Sequence, residues 1–145
     1  MHETLGYFLD LADSYVGAPM LSALYGVWAA RAGDRALSLR LLDEGYAQFT
    51  VGRFGQVLEY RPDKFPEQPQ AGPFAANIGG FLMSLMTGFP GLQPTLDDPH
   101  SWPCKRVILP DGWQEIAIEH LWVRGRPYRL RAVQGAERAT LEPQS

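Results

Sequence analysis

Cysteine is almost missing from this sequence. Cys104 stands alone among 145 residues, so no disulfide can form within the chain. A reducing compartment, the cytoplasm, is the expected location. Cys104 itself reads as a plain structural cysteine. Histidine is scarce too, and His2, His100 and His120 share no ligand spacing with one another or with Cys104. That argues against a metal site, and no cofactor is expected: Gly79-Gly80 follows no strand and lacks the GxGxxG spacing of a phosphate-binding turn. No apolar run reaches the roughly 18 residues of a membrane span. The opening Met1-His2-Glu3-Thr4 lacks the charged-then-apolar layout of a signal peptide. Neither sign of charge is in excess, with 13 Lys and Arg against 16 Asp and Glu and a formal net charge of -3. Nucleic-acid binders usually carry a basic patch, so neither nucleic acid nor membrane is an expected partner. The one basic cluster, Arg124, Arg126, Arg129 and Arg131, alternates with apolar residues and reads as the solvated face of a hairpin.

What is present is ordinary globular material, 46% hydrophobic and 20% charged, enough for one domain or two partial ones. The first half is helical. Leu5, Phe8, Leu9, Ala12 and Tyr15 recur at helical spacing up to a stop at Gly17. Pro19 suits a first helical position, where its missing N–H costs nothing. Leu21, Leu24, Tyr25, Trp28 and Ala29 form the next stripe, ended by Gly33. Asp34 can cap a third helix carrying Leu37, Leu41, Leu42, Tyr46 and Phe49. Breaks this short make antiparallel neighbours.

An irregular stretch follows over residues 51–70, punctuated by Gly52, Gly55, Pro62, Pro66 and Pro69. A loop of this length in a compact domain is functional or disordered. Phe54, Val57, Leu58, Tyr60 and Phe65 give it apolar anchors, so it is expected to be ordered. Residues 73–89, PFAANIGGFLMSLMTGF, are the most apolar segment and read as a helix buried on nearly all sides. Its Gly79 and Gly80 are costly in a helix, and the usual compensation is close approach of a backbone or ligand.

The last third reads as an antiparallel meander. Residues 106–109 are a short strand candidate, Pro110-Asp111-Gly112 a turn. Residues 114–123 alternate, with Ile116, Ile118, His120 and Trp122 on one face and Ala117, Glu119, Leu121 and Val123 on the other. This makes His120 a packed histidine. Arg124-Gly125-Arg126-Pro127 turns again before Tyr128, Leu130 and Ala132, and Gly135-Ala136 leads to a strand near Thr140 and Leu141. The fold class is therefore α+β, divided at residues 1–92 and 93–145. The apolar segment needs partners on every side, and the amphipathic helices offer one stripe each. Part of its surface is expected to meet material outside this chain.

The strongest candidate for chemistry is the loop FGQVLEYRPDKFPEQP, with Glu59, Asp63 and Glu67 set among Arg61, Lys64 and aromatics. Glu59 lies between Leu58 and Tyr60. A carboxyl among apolar groups loses hydration, which favours its neutral form, and that is what acid–base work near neutral pH requires. Aromatics beside carboxylates also suit sugars, whose ring faces stack while hydroxyls take hydrogen bonds. The plainer reading of the same residues is a salt-bridged surface loop.

Residues 72–92, GPFAANIGGFLMSLMTGFPGL, resemble the late barrel helix of family 65 glycoside hydrolases and phosphorylases, where a Gly-Gly pair precedes an apolar run and a Gly-Phe-x-Gly-Leu type turn. Residues 109–133, LPDGWQEIAIEHLWVRGRPYRLRAV, are similar to that family's C-terminal β-domain, and residues 17–42 fit the preceding barrel helices. The resemblance implies the last helices of an (α/α)6 barrel followed by a small antiparallel β-domain, a partial β-sandwich. Phosphorylases of the family place a histidine where this chain has Phe74, and a serine-rich turn where it has Gly17-Ala18-Pro19-Met20, so phosphate would lack its charge-assisted contacts. The hydrolases fit better: acid trehalases, kojibiose hydrolases and the glucosidase that trims glucosyl-galactosyl-hydroxylysine. By that likeness Glu59 is the general base that activates water, with Glu67 in reserve and Tyr60, Phe54 and Asn77 lining the glucosyl pocket. The implied partner is a carbohydrate, an α-glucosyl disaccharide or conjugate. The general acid would come from the missing N-terminal portion of the same enzyme, because a six-hairpin barrel needs far more helices than this sequence supplies. Two other readings stay open: a non-catalytic helical-plus-β interaction module, and part of a disaccharide phosphorylase.

Overall fold

The computed structural model describes residues 2–11 and 19–144. The expected Gly17 stop, the positions of Ala12 and Tyr15, and Gly17-Ala18 of the turn before Pro19 lie outside the described residues.

Four helices and two small antiparallel sheets make up the described chain, an α+β arrangement. Helix α1 spans His2–Asp10, α2 Pro19–Arg31 and α3 Arg35–Gly45. Gly33 has φ of 94° and ends α2, and Asp34 caps α3 by accepting from the Leu37 N–H at 2.9 Å. The helices run antiparallel. Ser38 Oγ donates to the Gly26 carbonyl at 2.7 Å, and Ser22 Oγ reaches Gly45 O. Helix α3 stops at Gly45, and Ala47–Phe49 continues as a single 3₁₀ turn that buries Phe49.

A two-residue hairpin follows, β1 Thr50–Val51 with β2 Gln56–Val57. Then comes the loop discussed below, and α4 over Ala75–Met83. A π-helical turn, Ser84–Gly88, carries the chain on to Phe89, which is wholly buried. Ser84 Oγ and Thr87 Oγ1 donate back to the carbonyls of Gly80 and Met83 within this stretch. The segment is not enclosed as its composition suggests. Ala75, Ala76, Leu82 and Met83 leave one face open, and a Cβ placed on Gly79 would meet nothing within 4 Å.

The second sheet is a meander of β3 Glu115–Val123, β4 Arg126–Val133 and β5 Thr140–Pro143. Arg124 and Gly125 form its first turn, both with positive φ, the pairing of a type I′ hairpin. Residues 106–109 are not a strand, although Val107 exchanges backbone hydrogen bonds with Gly135 and Ala136. A bulge between Ile118 and Leu121 breaks the expected alternation of β3. Ile116 is inward before it and Val123 after it, so Trp122 turns out to solvent. His120, inside the bulge at φ 54°, is exposed rather than packed.

One buried cluster runs across the 92/93 division, from Val27, Leu42 and Phe89 to Val107, Ile116 and Leu130. Irregular segments carrying Phe89, Leu92, Val107 and Leu109 supply much of this cluster, beside Val27 and Ala30 of α2 and Leu42 of α3. Two arginines bind it together. Arg31 donates to the carbonyls of Gly88, Phe89 and Arg106, and Arg35 to those of Leu109 and Pro110.

Candidate functional site

The connector after β2 is ordered by its own closure. Leu58 N–H donates to Phe49 O at 2.8 Å, Glu59 N–H to Ala71 O at 3.0 Å, and Phe74 N–H to Val57 O at 2.8 Å. Residues 60–70 therefore leave and return at nearly the same point, the form of a compact surface loop packed by its own side chains. Only glycine fits at position 72. A Cβ there would lie 2.7 Å from Val57 O. Val57 and Leu58 are each 2% exposed and anchor the base of the loop.

Glu59 is half-buried at this base, two residues beyond β2, where its N–H donates to Ala71 O in the segment leading into α4. Tyr60 is half-buried beside it, edge-on to Phe65 with ring centroids 6.4 Å apart. Leu58, Tyr60, Pro62 and Phe65 help line a pocket of about 120 Å³. That is well below the roughly 300–1,000 Å³ of ordinary small-molecule sites, and Glu59 is not among its lining residues. Asp63 is held by Arg61 in a two-oxygen contact, 2.5 Å at the shorter bond. That hydrogen bond pulls its carboxyl below the usual aspartate range, so Asp63 is poorly suited to donating a proton. Glu67 is exposed.

The other two candidates stand apart from this pair in their surroundings. Phe54 sits in the turn of the β1–β2 hairpin, 93% exposed, with the Arg53 guanidinium 5.8 Å from its ring centre. It anchors nothing in this chain. Asn77, in the first turn of α4, is completely buried, and neither Oδ1 nor Nδ2 has a hydrogen-bond partner among the described residues. A side chain with no accessible surface does not line a pocket in this conformation. Its unpaired amide was invisible to sequence reasoning, which sees an asparagine in an apolar run but not what surrounds it.

The basic cluster divides into different environments. Arg129 pairs with Glu119 and Arg131 with Glu115, each at 2.9 Å. Hydrogen bonding from these arginines lowers both glutamate pKa values. Arg124 instead ties the preceding loop to the hairpin, donating to Thr95 O and Asp97 O, with its guanidinium 5.7 Å from the Trp102 ring centre. Among the described residues no three metal-binding side chains gather, and no helix is long and apolar enough to cross a membrane. No protein-family model matches the chain, nor does any curated protein or any solved structure.

Proposed function

We propose that this chain is the C-terminal part of an inverting glycoside hydrolase acting on an α-glucoside, with Glu59 as the general base. In this reading α2, α3 and α4 are the last helices of an (α/α)6 barrel, and the meander is its small β-domain. The observation that carries it is the situation of Glu59: half-buried, at the closed neck of an aromatic-bearing loop, joined by backbone hydrogen bonds to the lead-in of α4. A carboxylate held there can keep one orientation while water reaches it. Tyr60 supplies a neighbouring ring, and Phe54 a second one free to meet a sugar.

The reaction is a single displacement. A carboxylic acid contributed from outside this chain protonates the glycosidic oxygen. Glu59 takes a proton from a water on the opposite face of the ring, and that water attacks the anomeric carbon as the bond to the leaving group breaks. Inverting pairs stand about 6.5–9.5 Å apart to admit the water. The small volume of the pocket beside Tyr60 agrees with a site whose remaining walls come from further helices.

Two measurements test this reading. The purified 145-residue chain should release no glucose from α-glucosyl disaccharides. The same chain carrying its in-frame upstream helices should release it, with β-glucose as the first anomer seen by proton NMR. Turnover by the short chain, or α-glucose as first product, would overturn the assignment. A second reading, a non-catalytic interaction module, is favoured by the open apolar face of α4, where Leu82 and Met83 are 44% and 49% exposed. A partner that binds through that face, in the absence of any glycosidase activity from the extended protein, would support it.

A further inference from the structure

The bulge in β3 has an effect beyond breaking a register. With His120 at φ 54°, two residues occupy the space of one, and the strand's inward face changes parity. Leu121 and Val123 remain against the core while Trp122 is presented to solvent, 68% exposed. Its cross-strand partner is Pro127, a rigid neighbour that contributes no competing polar group. Two residues further along β4, about 7 Å by strand geometry, Arg129 projects on the same face and donates to Glu119 Oε2 at 2.9 Å. Gln144 donates to the same oxygen at 2.6 Å, and its own carbonyl oxygen accepts from the His120 N–H at 2.9 Å. The bulge is thus fastened to a polar group made of Glu119, Arg129 and Gln144. Among the described residues Glu119 Oε1 has no partner.

We infer that this face of the meander is a carbohydrate-binding surface that holds a neutral hexopyranoside chain, one ring stacked on Trp122 and its hydroxyls taken by Glu119, Arg129 and Gln144. The charge arrangement selects this class of ligand. Arg129 and Arg131 are each matched by a glutamate, so the face offers hydrogen bonds with little free positive charge, unlike a surface that neutralises phosphates. Around Trp122 its apolar content is an indole and a proline, with exposed Ala117 and Val133 toward the far end of the same face. A protein contact would centre on aromatic anchors seated in water-excluding pockets. A sugar ring asks for an apolar plane with planar donors and acceptors at its rim. Glu119, Arg129 and Gln144 are tied to one another before the ligand arrives, which lowers the ordering cost of binding. This surface is independent of Glu59.

The test is a titration of the ¹⁵N-labelled chain with maltoheptaose and, separately, cellohexaose, following the backbone amide signals of β3 and β4 and the indole signals of the four tryptophans. The Trp122 signal is assigned by its loss in Trp122→Ala. The expected result is a saturable shift of that signal with at least one of the two sugars, abolition of binding in Trp122→Ala, and affinity about five- to tenfold weaker in Glu119→Gln. The readout is binding rather than turnover, so the result does not depend on the role of Glu59. No saturable shift with either sugar, or undiminished sugar binding by Trp122→Ala, would overturn the inference. So would a Trp122 shift that follows protein concentration without sugar, because the face would then belong to a second copy.

Discussion

At the scale of single residues, Asn77 is the least settled group in the molecule. Its carboxamide is fully buried without a partner among the described residues, and leaving such a group unsatisfied costs about 1–3 kcal/mol. Leucine has the same number of side-chain heavy atoms and no such demand. Asn77→Leu should therefore raise stability by roughly 1 kcal/mol, seen as a thermal midpoint about 4 °C higher. A lowered midpoint would contradict an unpaired amide with room around it. If the same substitution also reduces turnover in the extended enzyme, the residue belongs to those that give up stability for activity. Glu59 shows the opposite condition. Its neighbours Val57 and Leu58 are tightly packed, and its backbone N–H is engaged by Ala71, so a change confined to its side chain should leave the loop's anchors in place.

Among the elements, the helices were the most legible in sequence. Pro19, Gly33 and Asp34 mark the bounds of α2 and the start of α3 by simple capping chemistry. The strands were legible in existence but not in facing. Nothing in the residue types of Glu119 and His120 announces a bulge, since neither is a glycine, and the inversion of Trp122 follows from it. The loop's ordering was readable from its apolar residues, but Phe54 shows that an apolar residue need not be an anchor: it sits on a hairpin turn. The glycines separate what helix packing asks from what it leaves free. At Gly26 a Cβ would sit 2.9 Å from Ser38 O and 3.2 Å from Leu42 Cβ. Gly26→Ala should destabilise by about 1–3 kcal/mol through overpacking, despite alanine's better helix propensity. At Gly79 the same atom meets open space, and Gly79→Ala should stabilise the isolated chain by about 0.5–1 kcal/mol. Urea unfolding of both variants checks the pair. Equal responses would contradict the packing described.

For the whole molecule, the helical and strand-rich parts share one core, and half-buried arginine side chains hold the seam. The three carbonyls that Arg31 serves come from the end of the π turn and from the chain ahead of the Pro110 turn. Burial lowers its pKa, but a guanidinium still keeps its charge at any working pH. A lysine has no planar fork to span three acceptors. Arg31→Lys should lower unfolding free energy by roughly 2 kcal/mol with an unchanged denaturant slope, and an unaltered midpoint would show the clasp to be idle. The sequence offered no sign of this role, because an arginine closing a helix reads as a solvated end. The proposed catalysis rests on one carboxylate, and its substitution is the most direct trial. In the extended enzyme, Glu59→Gln should reduce kcat on an α-glucoside by about 10²–10⁴-fold, while Glu67→Gln should stay near the wild-type rate. Equal rates for Glu59→Gln and the wild type would contradict the account.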